Sequence, residues 1–529
     1  MSRIWKISPR KSEDLIEQLL LNRGLKTRKD REDFFHPALK NYSKEIQIDG
    51  IPKALKRIRQ AIERGEQVII YGDYDVDGIC SSAILYKALT SLGAKVLPYI
   101  PHREKEGYGL SRVGLEFARD SGAGLVITVD NGIVALEQAK IAAELGLDLI
   151  ITDHHLPLDK KPKALAIVHS TLMCGAGVAW CLIQSQISDS LRKELLQFVA
   201  IATITDLIPL TGVARAFVAE GIEELNRTKN LGLLALIGET SLKVGAIGSF
   251  EIGFVLGPRL NAIGRLEHAI DALRLLCTSD PLKAKRLANL LCETNSARQR
   301  LTTDALEQAK LMIDPKEEKS IHILESRDWI PGIIGLIAGR ISEEYGKPAV
   351  AISIGEGISK GSARSPNGTN IVEVIRSCSD ILVDVGGHKG AAGFTIRNEH
   401  LAEFKLKLEQ EMDRLPDGHE PFLAVEAEVE SRALTKALAR KLQRFAPFGY
   451  GNPEPLLVTR VMKVSDIRLL SEGKHLKFKS DGIDAIAFGM GQLSALLKEG
   501  QLVDMAFYLQ INRFNGMETL QLKVKDLKW

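Results

Sequence analysis

The chain has 529 residues, 45% hydrophobic and 26% charged, with a net charge of +3, which implies three or four domains of roughly ordinary soluble composition rather than one compact core. No apolar run approaches the ~18 residues that span a bilayer, and the opening stretch MSRIWKISPRKSED lacks the apolar centre of a secretory signal, so a cytoplasmic protein without a membrane partner is expected. The six cysteines (Cys80, Cys174, Cys181, Cys277, Cys292, Cys378) are scattered and form no CxxC pair, which argues against a disulfide framework and a zinc ribbon.

Residues 1–60 form a basic segment, with 15 Lys and Arg against 8 Asp and Glu. Residues 431–529 also sum to +7, leaving −11 for residues 61–430. Basic flanks around an acidic centre suit a polyanion held at the ends and metal held in the middle, although basic surface alone is commonly just solvated.

From Val68 to about Leu210, short β-branched runs alternate with helical patterns. VIIYG precedes a helix from about Ile79 to Leu92, and KVLPYI precedes one near Ser111 to Asp120. LVITVD then precedes a helix near Ile133 to Leu145, and DLIITD follows. This spacing predicts right-handed βαβ units and a mainly parallel sheet over a catalytic domain at 61–212. Residues 213–316 read as a helical linker with a long bridging helix from Leu282 to Ile313, stopped at Asp314-Pro315. Residues 317–415 return to mixed strand and helix signals (IHILES, AVAISI, AAGFTI) and predict a smaller α/β domain. The strand-rich segment 421–529 fits a five-stranded OB-type β-barrel.

Ligands of parallel sheets bind beyond the carboxyl ends of the strands, and acidic residues gather there: Asp73, Asp75 and Asp77 after the first strand, Asp130 in ITVDNGI, Asp153, His154 and His155 in ITDHHLP, and Asp206 in ATITDLIPL, read as another strand end. Carboxylates crowded at one edge repel and titrate abnormally unless a cation joins them. Oxygen donors with an imidazole suit two Mn²⁺ or Mg²⁺ ions, a pair used for in-line phosphoryl displacement. Any one of these aspartates alone is as readily a helix cap or turn residue, and adjacent histidines before Pro157 are as readily a capped turn.

Together GDYDVDG, ITVDNGI, TDHH and TDLIPL resemble the four motifs of the DHH phosphoesterase family. PHREKEGYGL (101–110), LGPRLNAIGRL (256–266), NSARQ (295–299), SRDWIPGIIGLIAGRI (326–341), GSARS (361–365), GGHKGAAGFTI (386–396) and FAPFGYGNPEP (445–455) extend the resemblance to its long, barrel-bearing, single-strand-specific 5′→3′ DNA exonucleases. The resemblance implies a parallel-sheet DHH domain, a DHH-associated α/β domain and an OB-fold nucleic-acid-binding domain. It implies metal ligands at Asp75, Asp77, Asp130, His154 and Asp206, with Asp130 bridging two ions, and supporting roles for Asp73 and His155. It further implies that Arg103, Ser362 and Arg364 hold a terminal 5′-phosphate, that Arg265 and His388, in the GGH turn, lie near the scissile phosphate, and that Arg259 and Asn261 contribute to strand binding. Interdomain salt bridges compete for Arg103 and Arg265, and a structural hydrogen-bonding role for His388. Phe478 or Phe514 would stack on bases.

The chain departs from the family pattern at Asn131, at NAIGR, at Lys389 and at Ala363 in GSARS, none of which removes a ligand or a charge. The implied activity is metal-dependent release of 5′-mononucleotides from single-stranded DNA in repair and recombination, by a monomer supplied by a single-strand-binding protein and a helicase. Two rivals stand beside it: a DHH phosphoesterase for short oligonucleotides or cyclic dinucleotides, and an inactive DNA-binding scaffold.

Overall fold

The computed structural model describes residues 4–103, 105–314, 316–366, 369–414, 422–514 and 516–529. It divides into two compact units, one made of Lys44–Asp206 and Glu220–Pro421, the other of Met1–Ser43, Leu207–Ala219 and Phe422–Trp529.

In the larger unit the uninterrupted apolar runs become strands covered on both faces, as parallel sheets require. Five parallel strands lie in the order Lys95–Tyr99, Gln67–Tyr71, Ala123–Val129, Asp148–Asp153, Ala166–His169. Ile69, Tyr71, Val126 and Ile151 pack beneath the helices Arg112–Asp120 and Leu136–Glu144. The alternate residues Val68, Ile70, Leu125 and Ile127 are equally buried and point to the opposite face. Each such side chain contributes about 1.5–3 kcal/mol of burial energy, so the edge that holds the aspartates is rigidly framed.

One expected strand is a helix. The run leading into TDLIPL forms the last turns of Asp189–Thr205, capped by Ser188. Its residues from Leu195 to Thr203 are all buried, and a short apolar, β-branched run of that kind fits a buried helix as well as a strand. Asp206 therefore follows a helix rather than ending a strand.

The bridging helix runs from Pro281 to Leu311, 31 residues, or about 46 Å at 1.5 Å per residue. Asp280 caps it through the N–H groups of Leu282 and Lys283; Pro315, the expected stop, lies outside the described residues. Its first half buries Leu287, Ala288, Leu291 and Asn295. Further along, Ala305 and Ala309 join the core of the second lobe with Trp329, Ile333 and Ile337.

That second lobe is a mixed sheet ordered Leu382–His388, Ala391–Arg397, Ile358–Arg364, Ala349–Ser353, His322–Ser326. GSARS and GGH both lie largely within strands here, Gly361 pairing with Phe394 and His388 with Ala391. The turn falls instead at Lys389 and Gly390, because the small residues of VGGH are free to extend and pair with AAGF.

In the smaller unit, Leu457–Leu470, His475–Ser480, Ile483–Ala487, Met517–Lys528 and Leu502–Phe514 pair in succession, and the last pairs back with the first, closing a ring of five strands. Ile4–Ile7 adds a parallel pair with Phe422–Val425; the basic segment 1–60 is thus shared, since its helix Ile51–Arg64 belongs to the larger unit. Phe478 is only 1% exposed and fills the ring's core, which rules it out as a stacking surface; the side chain of Phe514 lies outside those described. Beside the ring, Arg215 is buried and donates to the carbonyls of Phe34, Phe445, Ala446 and Pro447 at 2.7–3.1 Å, with its guanidinium 4.0 Å above the Phe34 ring. All six cysteines are free thiols, and no described helix is long and apolar enough to cross a membrane.

Candidate metal and phosphate site

After Tyr71 the chain leaves its strand and immediately starts the helix Val76–Ser91. Asp75 is the cap, one oxygen accepting from the Asp77 and Gly78 N–H groups at 3.0 and 3.1 Å. Asp77, in the first turn, receives Gly175 N–H at 2.6 Å and Ala176 N–H at 2.7 Å. These are the leading amides of the helix Gly175–Ile183, whose positive end favours a carboxylate. Gly78 is required by crowding: a Cβ there would stand 2.5 Å from the Asp73 nitrogen. Asn261 accepts from Val76 N–H at 3.2 Å, so it helps fix the start of this helix.

Asp130 adopts a left-handed backbone, φ 62°, a conformation aspartate tolerates better than most residues. Its turn is held by Asn131, which donates to the carbonyls of Tyr71 and Val129 and so staples neighbouring strands. Asp153 accepts the backbone N–H groups of Ile133, His154 and His155, and the His155 ring at 2.7 Å. Burial pushes the Asp153 carboxyl up, but His155 and these N–H groups outweigh it and hold it below the ordinary range. It is thus an orienting residue with its oxygens already used. Tyr108 bonds the Asp130 carbonyl and the His155 ring.

The remaining groups converge without satisfying one another. His154 Nε2 lies 3.0 Å from Asp130, 3.5 Å from Asp77 and 3.5 Å from Asp206. Potential ligand atoms of Asp77, His154 and Asp206 lie within 4.8 Å of one another, as do those of Asp73, Asp75 and Asp130, and those of Asp130, His154 and His155. Yet Asp73 Oδ1, Asp130 Oδ1 and His154 Nε2 are buried with no hydrogen-bond partner among the described residues; the 3.0 Å approach of the last two lacks the direction of a hydrogen bond. Burial and neighbouring aspartates raise Asp73, Asp75 and Asp130, and push Asp206 up to about 8. Burial keeps His154 low despite those charges. A lone-pair set that is buried, unsatisfied and reluctant to ionise fits divalent cations. The donors are oxygen and imidazole nitrogen, the set for Mn²⁺ or Mg²⁺. Burial and then Asp77 hold the nearby Cys80 and Cys174 thiols well above their ordinary range, so thiolate does not enter. Asp73, expected as a supporting residue, stands among the candidate ligand atoms themselves.

Guanidinium groups gather beside this cluster. Arg265 donates to the Gly332 carbonyl at 3.0 Å, and its pKa is pushed down to about 10 by burial, then by Arg103, Arg298 and Arg364, against the pull of Asp75. Arg103 lies over the Tyr74 ring at 4.8 Å. Arg364 donates to Ser362 Oγ at 2.9 Å, with Gly335 leaving space beside both. Arg103, Arg265, Arg298 and Arg364 have no carboxylate salt bridge among the described residues, and Arg103, Arg298 and Arg364 all disfavour the charge on Arg265, an arrangement that suits an anion. Arg298 was not singled out from the sequence. It donates to Asn295 at 3.0 Å, while its Nε is buried without a partner. Arg259 donates to the Val255 carbonyl and likewise has an unpartnered Nε. His388 is exposed at its strand's end.

Three family models match successive segments of the chain. Residues 67–203 match the N-terminal domain of the DHH family, 318–414 the DHHA1 domain and 425–526 the RecJ OB domain. The single-stranded-DNA-specific exonuclease RecJ of Bacillus subtilis is 34% identical, over 97% of this chain and 67% of that protein. That of Haemophilus influenzae is 32% identical over 92% of each. A crystal structure of RecJ from Thermus thermophilus in complex with Mn²⁺ superposes with a TM-score of 0.86 at 29% identity, covering 99% of this chain and 79% of that one. With DHH, DHHA1 and RecJ OB domains matched along it and about a third of its residues shared with a RecJ over nearly its whole length, the chain belongs to the RecJ family.

Proposed function

We propose that this protein is a divalent-metal-dependent exonuclease that degrades single-stranded DNA from its 5′ end to 5′-mononucleotides. The observation that carries it is the pairing of an unsatisfied carboxylate and imidazole cluster with a guanidinium cluster contributed partly by the second lobe. Asp75, Asp77, Asp130, His154 and Asp206 would hold two Mn²⁺ or Mg²⁺ ions, with Asp130 shared and Asp73 close enough to join. When bound, the ions supply Lewis-acid stabilisation of the phosphoryl transition state and acidify the attacking water.

The chain's own residues do the rest. Arg103, Ser362 and Arg364 hold the terminal 5′-phosphate, which sets polarity. Arg265, with Arg298, neutralises charge that develops at the scissile phosphate, and His388 contributes from the second lobe. His155, oriented by Asp153 and Tyr108, aligns water or a phosphate oxygen. Asn261 fixes the helix that presents Asp75 and Asp77, while Arg259 meets the strand further on. A gap between the two α/β lobes too narrow for a duplex would select single strands. The basic OB unit would attract the backbone. Domain limits near 61–212, 213–316, 317–415 and 421–529 suit this division of labour. Action as a cytoplasmic monomer, with a single-strand-binding protein and a helicase supplying substrate, completes the reading.

With Mn²⁺ and a long 5′-labelled single strand, the first labelled product is expected to be a mononucleotide, and a matched duplex should be spared. Action restricted to di- to tetranucleotides would instead assign a short-oligonucleotide phosphoesterase, and binding without product a scaffold.

A further inference from the structure

Phe254 is 71% exposed, the most exposed phenylalanine among the described residues. Phe250, 56% exposed, stacks on it with ring centroids 4.8 Å apart and planes 27° from parallel. Single exposed apolar residues need no explanation. A stacked pair on one ridge is less ordinary, because more than half of each residue's surface stays in solvent. Its position is also specific. The two rings sit where the helix Ser249–Glu251 passes through the π-helical turn Ile252–Leu256 and on into Gly257–Leu266, and π turns favour functional sites.

That continuous helix packs beside the candidate metal ligands. Gly253 faces Ile204 and Gly257 faces Thr205, the residues just before Asp206, while Gly264 faces the Tyr74 carbonyl, just before Asp75. At about 100° per residue, Asn261 and Arg265, seven and eleven positions beyond Phe254, fall within about 20° of its direction. The wider π turn alters this by a few tens of degrees without changing the flank. Along one flank the helix therefore carries an aromatic pair, the residue that fixes the Asp75–Asp77 helix, and the arginine at the phosphate site. Arg259, five positions beyond Phe254, turns about 140° away from it and donates within the helix to the Val255 carbonyl.

We infer that the Phe250–Phe254 pair is a base-stacking platform for the single strand trailing behind the scissile phosphate. The inference rests on the function proposed above. Phe254 stands about 10–16 Å along the helix from Asn261 and Arg265, which corresponds to about three to five nucleotides at a stacked spacing of ~3.4 Å. Every base has a π face, so such a platform holds the strand without choosing its sequence.

The test uses the full-length protein without metal and a 12-nucleotide 5′-phosphorylated strand carrying one abasic site at each position in turn. Binding of the unmodified protein should weaken roughly tenfold when the abasic site falls at about positions three to five. Phe250→Ala/Phe254→Ala should bind the intact strand with the same loss and become indifferent to abasic sites there. Phe254→Trp should keep the dependence. Unchanged Mn²⁺-dependent cleavage of a dinucleotide by the double variant serves as its folding control. A flat scan for the unmodified protein, or an unaltered scan for the double variant, overturns the inference. So does a double variant that changes only in self-association on sedimentation, which would make the ridge a protein contact. Failure to cleave single strands at all would instead remove the proposed function.

Discussion

Two regions of this molecule bury ionisable groups in opposite ways. At the sheet edge, Asp73, Asp130 and His154 are buried with polar atoms that nothing described satisfies. Beside the five-stranded ring, Arg215 is also buried, yet four main-chain carbonyls and the Phe34 ring surround it. Burial lowers its pKa only to about 10, so it stays charged at neutral pH. The contrast separates a site from a fastener: a buried charge that is fully met stabilises the fold, and one that is left unmet is awaiting something from solution.

Breaking either side should have distinct consequences. The largest effect is expected for Asp130→Ala, with Mn²⁺-dependent cleavage reduced by at least roughly a thousandfold while binding of a single strand changes little; substantial residual turnover would refute the shared-ligand role. Arg215→Met should destabilise the smaller unit by about 3 kcal/mol, since it strands several buried carbonyls. Urea denaturation followed by intrinsic fluorescence would measure it, and metal-dependent dinucleotide cleavage below the transition should stay unchanged.

A smaller loss, about tenfold, is expected in the preference of Arg364→Ala for 5′-phosphorylated over 5′-hydroxyl strands, consistent with one charge-assisted contact. Equal losses on both ends would count against the pocket. The smallest effect is on metal-free stability. Unfolded carboxylates titrate near pH 4, whereas Asp73, Asp75 and Asp130 are raised and Asp206 reaches about 8. Between those values the folded protein holds protons that the unfolded chain has released, so stability falls as pH rises through that window. Thermal midpoints in chelator should drop by a few degrees from about pH 6 to 8.5. Added Mn²⁺ or the Asp130→Asn substitution should flatten the trend.

Much of this site was legible in the sequence because βαβ topology converts linear motifs into neighbours: the ends of adjacent parallel strands are adjacent in space. Asp73 to Asp77, Asp130 and Asp153 to His155 follow that rule. Asp206 joins the cluster from a helix rather than a strand, since FVAIATIT lacks a polar face that would distinguish buried helix from strand. The lysines flanking Phe478 marked it as the inward residue of an alternating strand, a signal that its aromatic character obscured. Arg298 lies within the NSARQ motif, but nothing in that motif assigns it to the phosphate site. It returns to the site through a helix of 31 residues, and which face of such a helix meets distant arginines depends on packing that no short window contains. The Phe250–Phe254 ridge was hidden for the same reason, being apolar residues whose exposure only tertiary structure reveals.

The helix from Pro281 to Leu311 also behaves as a caliper. One stretch is packed into the helical region beside the metal site and another into the core of the lobe that carries Arg364. A strut continuously hydrogen-bonded over about 46 Å does not stretch, so the spacing between the region beside the aspartates and the lobe that carries Arg364 is set by residue count rather than by loop closure.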